Sequence, residues 1–277
     1  MKKKGLQGDQ LNDDDLHAMF GKNPSYEQII GSFEIPNVDH YNMATATVDR
    51  HASGEKSTKI ALICVDDREN IHTYSYAELR TLSNRFGNFL RANGVKKGDV
   101  IALFSQQGLE CAMAHLAAYK LGAIVAPLSY LYGPGAVEHV LNDCGARWIV
   151  TQRHLWDRVK DANIELNIQS VIVSGGAREG EIDFHAAIHG IGGDNLKIEN
   201  TGSDDPALLL YSSGSTGLPK GILHKQALLR GYLASGVCFF DVACSHCSGC
   251  CPAADGHSQL TQRLRSCPDG RGSGGTF

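Results

Sequence analysis

The sequence predicts an α/β fold with a largely parallel, buried sheet flanked by helices, and three observations predict it. Short apolar runs alternate with helical stretches from residue 60 to residue 211, and strands separated by helices need crossover connections that leave them parallel. Composition agrees, with 42% apolar and 20% charged residues, which excludes global disorder. A length of 277 residues suits one large domain or two small ones.

The elements follow in order. Residues 1–40 are polar and weakly periodic, an arm that is extended or loosely helical. The run from Ile60 to Val65, a polar turn at residues 66–70, and Ile71–Tyr74 read as a β-hairpin. Ser75 and Glu78 then have capping-box spacing, in which each side chain serves the other residue's backbone amide. Tyr76, Leu79, Leu82, Phe86, Phe89 and Leu90 recur at helical spacing, and Asn93-Gly94 ends that helix. Strands are expected at Val100–Phe104, Ala123–Leu128, Arg147–Thr151, Val171–Ser174 and Ala207–Tyr211. Helices are expected at Leu109–Leu121, with Ala112, Met113, Leu116 and Ala117 on one face, and at Ala136–Asp143.

The organisation changes near residue 240. Six of the nine cysteines (Cys238, Cys244, Cys247, Cys250, Cys251 and Cys267) fall in the last 40 residues, no Lys follows Lys225, and no Glu follows Glu199. From Ala243 onward the only large apolar side chains are Leu260, Leu264 and Phe277, too few to offset chain entropy, so this tail is expected to be disordered. The formal charge of −4 leaves no basic excess for a phosphate backbone, which argues against general nucleic-acid binding. No apolar run approaches the ~20 residues of a membrane span. Lys2, Lys3 and Lys4 precede no apolar core, so no secretory signal is read and a cytoplasmic address is expected.

One segment carries chemistry. Tyr211-Ser212-Ser213-Gly214-Ser215-Thr216-Gly217-Leu218-Pro219-Lys220-Gly221 follows an apolar strand directly and leads into Ile222-Leu223-His224. Gly214 and Gly217 bracket two hydroxyl residues, so backbone amides can approach an anion while Ser215 and Thr216 donate further hydrogen bonds. Lys220 adds a mobile cation. It is not a Walker A loop, because Pro219 precedes Lys220 and Gly221 follows it, and the segment holds no Gly-x-Gly-x-x-Gly.

This eleven-residue segment resembles the phosphate-loop signature of the AMP-forming acyl-CoA synthetases of the adenylate-forming superfamily. The likeness extends over roughly residues 40–235. Thr73–Leu79 resembles the family's T-Y-x-E-L pattern, Gly94–Ala102 its G-V-x-x-G-D-x-V, and Leu116–Pro127 its A-x-x-K-x-G-A-x-x-x-P. Tyr41–Ala44 and the arm look most like the acetyl-CoA and medium-chain branch. The resemblance implies a partial N-terminal adenylation domain over residues 41–238, with ATP, Mg2+ and coenzyme A as reactants and a short or medium carboxylic acid as the acid substrate. It implies that Ser212, Ser213, Gly214, Ser215, Thr216, Gly217 and Lys220 hold the β- and γ-phosphates, with Lys220 and Thr216 the catalytic pair. His224 has a structural role or a site role.

Residues 225–277 contain no Tyr-Gly-x-Thr-Glu-like motif, no ribose Asp and no lid Lys in the family's pattern, so a C-terminally truncated, inactive fragment is expected. The tail, residues 239–277, reads as a frameshift product. One codon choice for Asp269–Phe277, shifted by a nucleotide, encodes Met-Gly-Val-Ala-Val-Val-Ala-Arg. Cys244-x-x-Cys247-x-x-Cys250 fails the bacterial iron–sulfur spacing, which needs a fourth Cys where Ala254 stands. A zinc set of Cys244, Cys247, His257 and Cys267 lacks a paired second motif. No metal site is expected. The alternatives to a ligase are a non-catalytic nucleotide-binding fragment and a Cys-rich metal-binding module.

Overall fold

The computed structural model describes residues 39–66, 69–162, 164–189, 193–212 and 218–229. The arm expected over residues 1–40, apart from Asp39 and His40, and the Cys-rich tail over 239–277 lie outside the described residues.

A short helix, α1 (Met43–Thr47), begins the fold, and the Asn42 side chain caps it by accepting from the amides of Ala44 and Thr45. Strands β1 (Ile60–Val65) and β2 (Ile71–Ser75) pair antiparallel, the expected hairpin. Ser75 then starts α2 (Tyr76–Ala92) through the expected capping box. Its hydroxyl accepts from the Glu78 amide at 3.2 Å, and the Glu78 carboxylate accepts from the Ser75 amide at 2.7 Å. Asn93 caps the far end, and Gly94 follows with φ 88°, a left-handed turn that glycine adopts freely.

The rest alternates strand and helix. In order come β3 (Val100–Phe104), α3 (Leu109–Lys120), β4 (Ile124–Pro127), α4 (Pro134–Cys144), β5 (Trp148–Gln152), α5 (Arg153–Lys160), β6 (Ser170–Ser174), β7 (Ile182–Asp183), α6 (Phe184–His189), β8 (Pro206–Ser212) and β9 (Lys220–Lys225). They build a seven-stranded sheet in the order β7-β6-β5-β3-β4-β8-β9. Every pairing is parallel except β8 with β9.

Alternate strand residues supply two cores. Ile101, Leu103, Trp148, Val150 and Ile172 point to one face, where α2, α3 and α6 cover them with Phe86, Leu90, Met113, Leu116 and Phe184. Ala102, Phe104, Ile149 and Val173 point to the other, where α4 and α5 bring Val137, Val140, Leu141, Leu155 and Trp156. Both faces being covered is why these strands read as near-continuous apolar runs.

Two expectations need correction. The single apolar face read on α3 is too narrow, since Ala114, Ala118, Tyr119 and Lys120 are buried beside Met113, Leu116 and Ala117. This helix lies between α1, α2 and the sheet. The helix read as Ala136–Asp143 starts two residues earlier, at Pro134, whose missing amide suits the first helical position, and Gly145 ends it with φ 62°.

Candidate functional site

The candidate site is the junction of β8 and β9. Strand β8 runs parallel beside β4, so Ser212 ends it on the edge of the sheet where β3, β4 and β5 also end. Open α/β sheets bind ligands outside these carboxyl ends. The chain then returns antiparallel as β9, with Ser212 opposite Lys220 and Tyr211 opposite Gly221 in the ladder. Ser212 and Lys220 are both exposed, and among the described residues no carboxylate pairs with the Lys220 ammonium. Ser213, Gly214, Ser215, Thr216 and Gly217 lie outside the described residues. Of the seven site residues read from sequence, the fold therefore brings Ser212 and Lys220 together.

Helix α4 reaches the chain on either side of the loop through two side chains, at Tyr211 and at Pro219. The Tyr211 hydroxyl donates to the Asp143 carboxylate at 2.5 Å. His139 Nε2 lies 3.0 Å from the Pro219 carbonyl oxygen; a carbonyl only accepts, so this nitrogen carries the proton. Burial, followed by the bond to Asp143, raises the Tyr211 pKa and keeps the phenol protonated. Gly221 leaves room for the Tyr211 ring. A Cβ built there would stand 3.0 Å from Leu209 Cδ1 and 3.2 Å from Tyr211 Cζ. His224 is half-buried and pairs with Leu208 in the ladder, a structural position.

The arrangement suits an anion. A hydroxyl and an ammonium face each other across one ladder rung at the carboxyl edge of a parallel sheet, with no described carboxylate paired to the cation. Burial raises the pKa of Cys64 and Cys144, which favours the thiol at both. Among the described residues, no group of three or more His, Cys, Asp or Glu converges on a metal position, and no helix is long and apolar enough to cross a membrane. Two shallow depressions, one with Lys97 and Asp205 in its lining and one with Tyr74 and Arg85, include none of residues 211–221.

His139 and Asp143 escape a reading of the sequence because their partners stand 80 and 68 residues away. Their one visible signal is a spacing of four on a helix whose other face is apolar.

A family model described as "AMP-binding enzyme" matches residues 48–250. The acetyl-coenzyme A synthetase of Bacillus subtilis (strain 168) is 36% identical over 196 residues, covering 69% of this chain and 34% of that protein. That of Escherichia coli (strain K12) is 32% identical over 213 residues, covering 69% and 32%. The chain thus spans about a third of the length of these curated relatives. Among solved structures, an acyl-CoA synthetase from Brucella canis superposes with a TM-score of 0.65 at 27% identity, covering 80% of this chain and 40% of that one. An anthranilate CoA ligase in complex with anthranoyl-AMP gives 0.61 at 26% identity, covering 68% and 35%.

Proposed function

Because this chain belongs to the AMP-binding enzyme family, we propose that its β8–β9 junction is the phosphate grip of an AMP-forming acyl-CoA synthetase. In that reaction a carboxylate oxygen attacks the α-phosphorus of ATP and the bond to pyrophosphate breaks. The coenzyme A thiol then attacks the acyl carbon, a thioester forms, and AMP leaves. Negative charge shifts onto the departing pyrophosphate in the first step, so fixed donors aimed at the β- and γ-phosphates lower its barrier. Lys220 supplies a full positive charge and Ser212 a hydroxyl. The proposal assigns further donors to Ser213, Gly214, Ser215, Thr216 and Gly217. Mg2+ belongs to this reading as part of the nucleotide substrate. The described residues bring no carboxylate set together to hold it, so no step is assigned to it.

The observation that carries the reading is the pairing of Ser212 with Lys220 at the carboxyl edge of the sheet, at the two ends of an eleven-residue signature. A short or medium acid is the proposed substrate, in line with the names of the relatives. Residues 41–238 are the proposed adenylation region, and residues 239–277 are proposed to take no part in the site.

The test has two arms. Titration of the 277-residue chain with Mg-pyrophosphate should show binding that Lys220→Ala weakens roughly 10-fold or more. In a chain extended through the downstream adenylation sequence, Lys220→Ala and Thr216→Ala should each slow acyl-AMP formation by about 10-fold or more. A restored enzyme indifferent to both substitutions removes this loop from the mechanism. The 277-residue form should release no pyrophosphate above a no-enzyme control. The same titration tests a second reading, a non-catalytic nucleotide-binding chain. Binding without turnover is its signature.

A further inference from the structure

We propose that α4 anchors the chain on both sides of the phosphate loop, and that His139 and Asp143 are positioning residues holding Pro219 and Tyr211. This deepens the reading above and rests on it for its functional consequence, while the structural part stands on observed contacts. His139 and Asp143 are four residues apart and share one helical face. Tyr211 stands just before Ser212, and Pro219 just before Lys220, so one helix face grips the chain on both sides of residues 212–218. The helix is itself fixed, because Val137, Val140 and Leu141 are buried against the sheet with Phe104 and Ile149.

Two further features fit this role. A carboxylate in the last turn of a helix faces the negative end of the helix dipole, the unfavourable place for an acid. The Tyr211 hydroxyl offsets that cost at Asp143 with a short, charge-assisted hydrogen bond. Gly221, opposite Tyr211, is the residue whose missing side chain lets the Tyr211 ring lie where its hydroxyl reaches α4. The glycine that closes the signature thus serves the tyrosine that opens it. The consequence is that Ser212 and Lys220 present their donors at a fixed separation before any ligand arrives, which is what preorganised charge stabilisation requires.

Hydrogen exchange on the full 277-residue chain tests the grip directly. Tyr211→Phe, Asp143→Ala and His139→Ala should each speed exchange of the amides at residues 210–212 and 220–222 by about 5- to 10-fold, the loss of one hydrogen bond. Rates in β3 and β5 should not move. The conservative variants Asp143→Asn and His139→Gln, which keep an acceptor and a donor, should recover to within about 2-fold of the parent. Gly221→Ala should behave like Tyr211→Phe. Tyr211→Phe retains the packed ring, so it reads the bond even if Asp143→Ala fails to fold. In parallel, Mg-pyrophosphate affinity should fall about 3- to 10-fold in the Ala and Phe variants and return in the conservative ones. Exchange that is unchanged, or raised equally throughout the sheet, overturns the proposal. A parent chain without pyrophosphate affinity refutes the phosphate reading instead, and exchange alone then decides the grip.

Discussion

Replacing Lys120 with Met tests how the sheet's helical cover is pinned. Lys120 ends α3 with its side chain fully buried. Its ammonium lies 2.8 Å from Asp49 Oδ1, 2.8 Å from Ser83 Oγ and 2.8 Å from Asn84 Oδ1. One cation thus ties α3 to α2 and to the turn after α1. Burial pushes the Lys120 pKa down while Asp49 pulls it back up, the balance expected when desolvation and pairing compete. Met has a similar length and leaves little cavity, so the cost of Lys120→Met comes from what it strands. The Asp49 side chain is only 11% exposed, and removing its partner leaves a nearly buried, unpaired carboxylate. Breaking such a pair costs about 3–5 kcal/mol. Some water reaches Asp49, so the lower end applies, about 3 kcal/mol. Urea unfolding should show this as a lower midpoint at constant slope. Asp49→Asn in the same chain removes the stranded charge, and the double variant should recover about 2 kcal/mol of the loss. A single variant within about 1 kcal/mol of the parent, or a double variant additive in its defects, refutes the reasoning.

Acid should unfold the protein in two separable windows. Burial holds His115, which bonds the Tyr119 hydroxyl at 2.8 Å, down at about 4 from 6.5. The folded state therefore prefers the neutral ring, and stability is full above pH 6.5 and falls between 6.5 and 4. The loss is at most about 3 kcal/mol, less for a ring that water partly reaches. His115→Gln should flatten that limb of the stability–pH curve, and an unaltered limb would reject the assignment. Burial opposes ionisation of Glu181, but hydrogen bonds from Arg153, the Arg178 amide and Lys160 hold its carboxyl at about 2. Its contribution is present above pH 4.5 and lost between 4.5 and 2, and Glu181→Gln should abolish only that lower limb. Elemental analysis of chain purified under mild conditions should find zinc and iron far below one equivalent. Near-stoichiometric metal would restore the Cys-rich tail as a binding module.

The parts of the fold legible in the sequence were those encoded within one stretch of chain. The capping box at Ser75 and Glu78 lies within four residues, and the hairpin of β1 and β2 is two adjacent runs. The parallel strands announce themselves as apolar runs because both their faces are covered. Three helices left no such mark, the first being α1 with only five residues. Helix α5 follows β5 without a break, and Gln152 makes no capping bond at its start. Helix α6 has six residues, too few for a period of 3.6 to show. At the site, Ser212 and Lys220 could be read because the signature carries them together. Asp143 and His139 could not, because a hydrogen bond across 68 or 80 residues has no local spacing to betray it.

The antiparallel return at the sheet edge is what makes this short signature sufficient. A parallel partner for β8 would need a crossover of a dozen or more residues, and the chain would re-enter the sheet at its opposite end. The seven residues between Ser212 and Lys220 permit only a hairpin. The hairpin brings the chain back on the same edge, one ladder rung from where it left. Directly opposed residues in such a ladder have Cα atoms about 4.5–5.5 Å apart, so a hydroxyl and an ammonium there fall within reach of a single phosphate group. A loop of this length anchored at one end could place either donor, but not both, at a fixed distance. On the proposed reading, anchoring at both ends, by the ladder and by α4, makes one phosphate-binding feature of two residues eight positions apart in sequence.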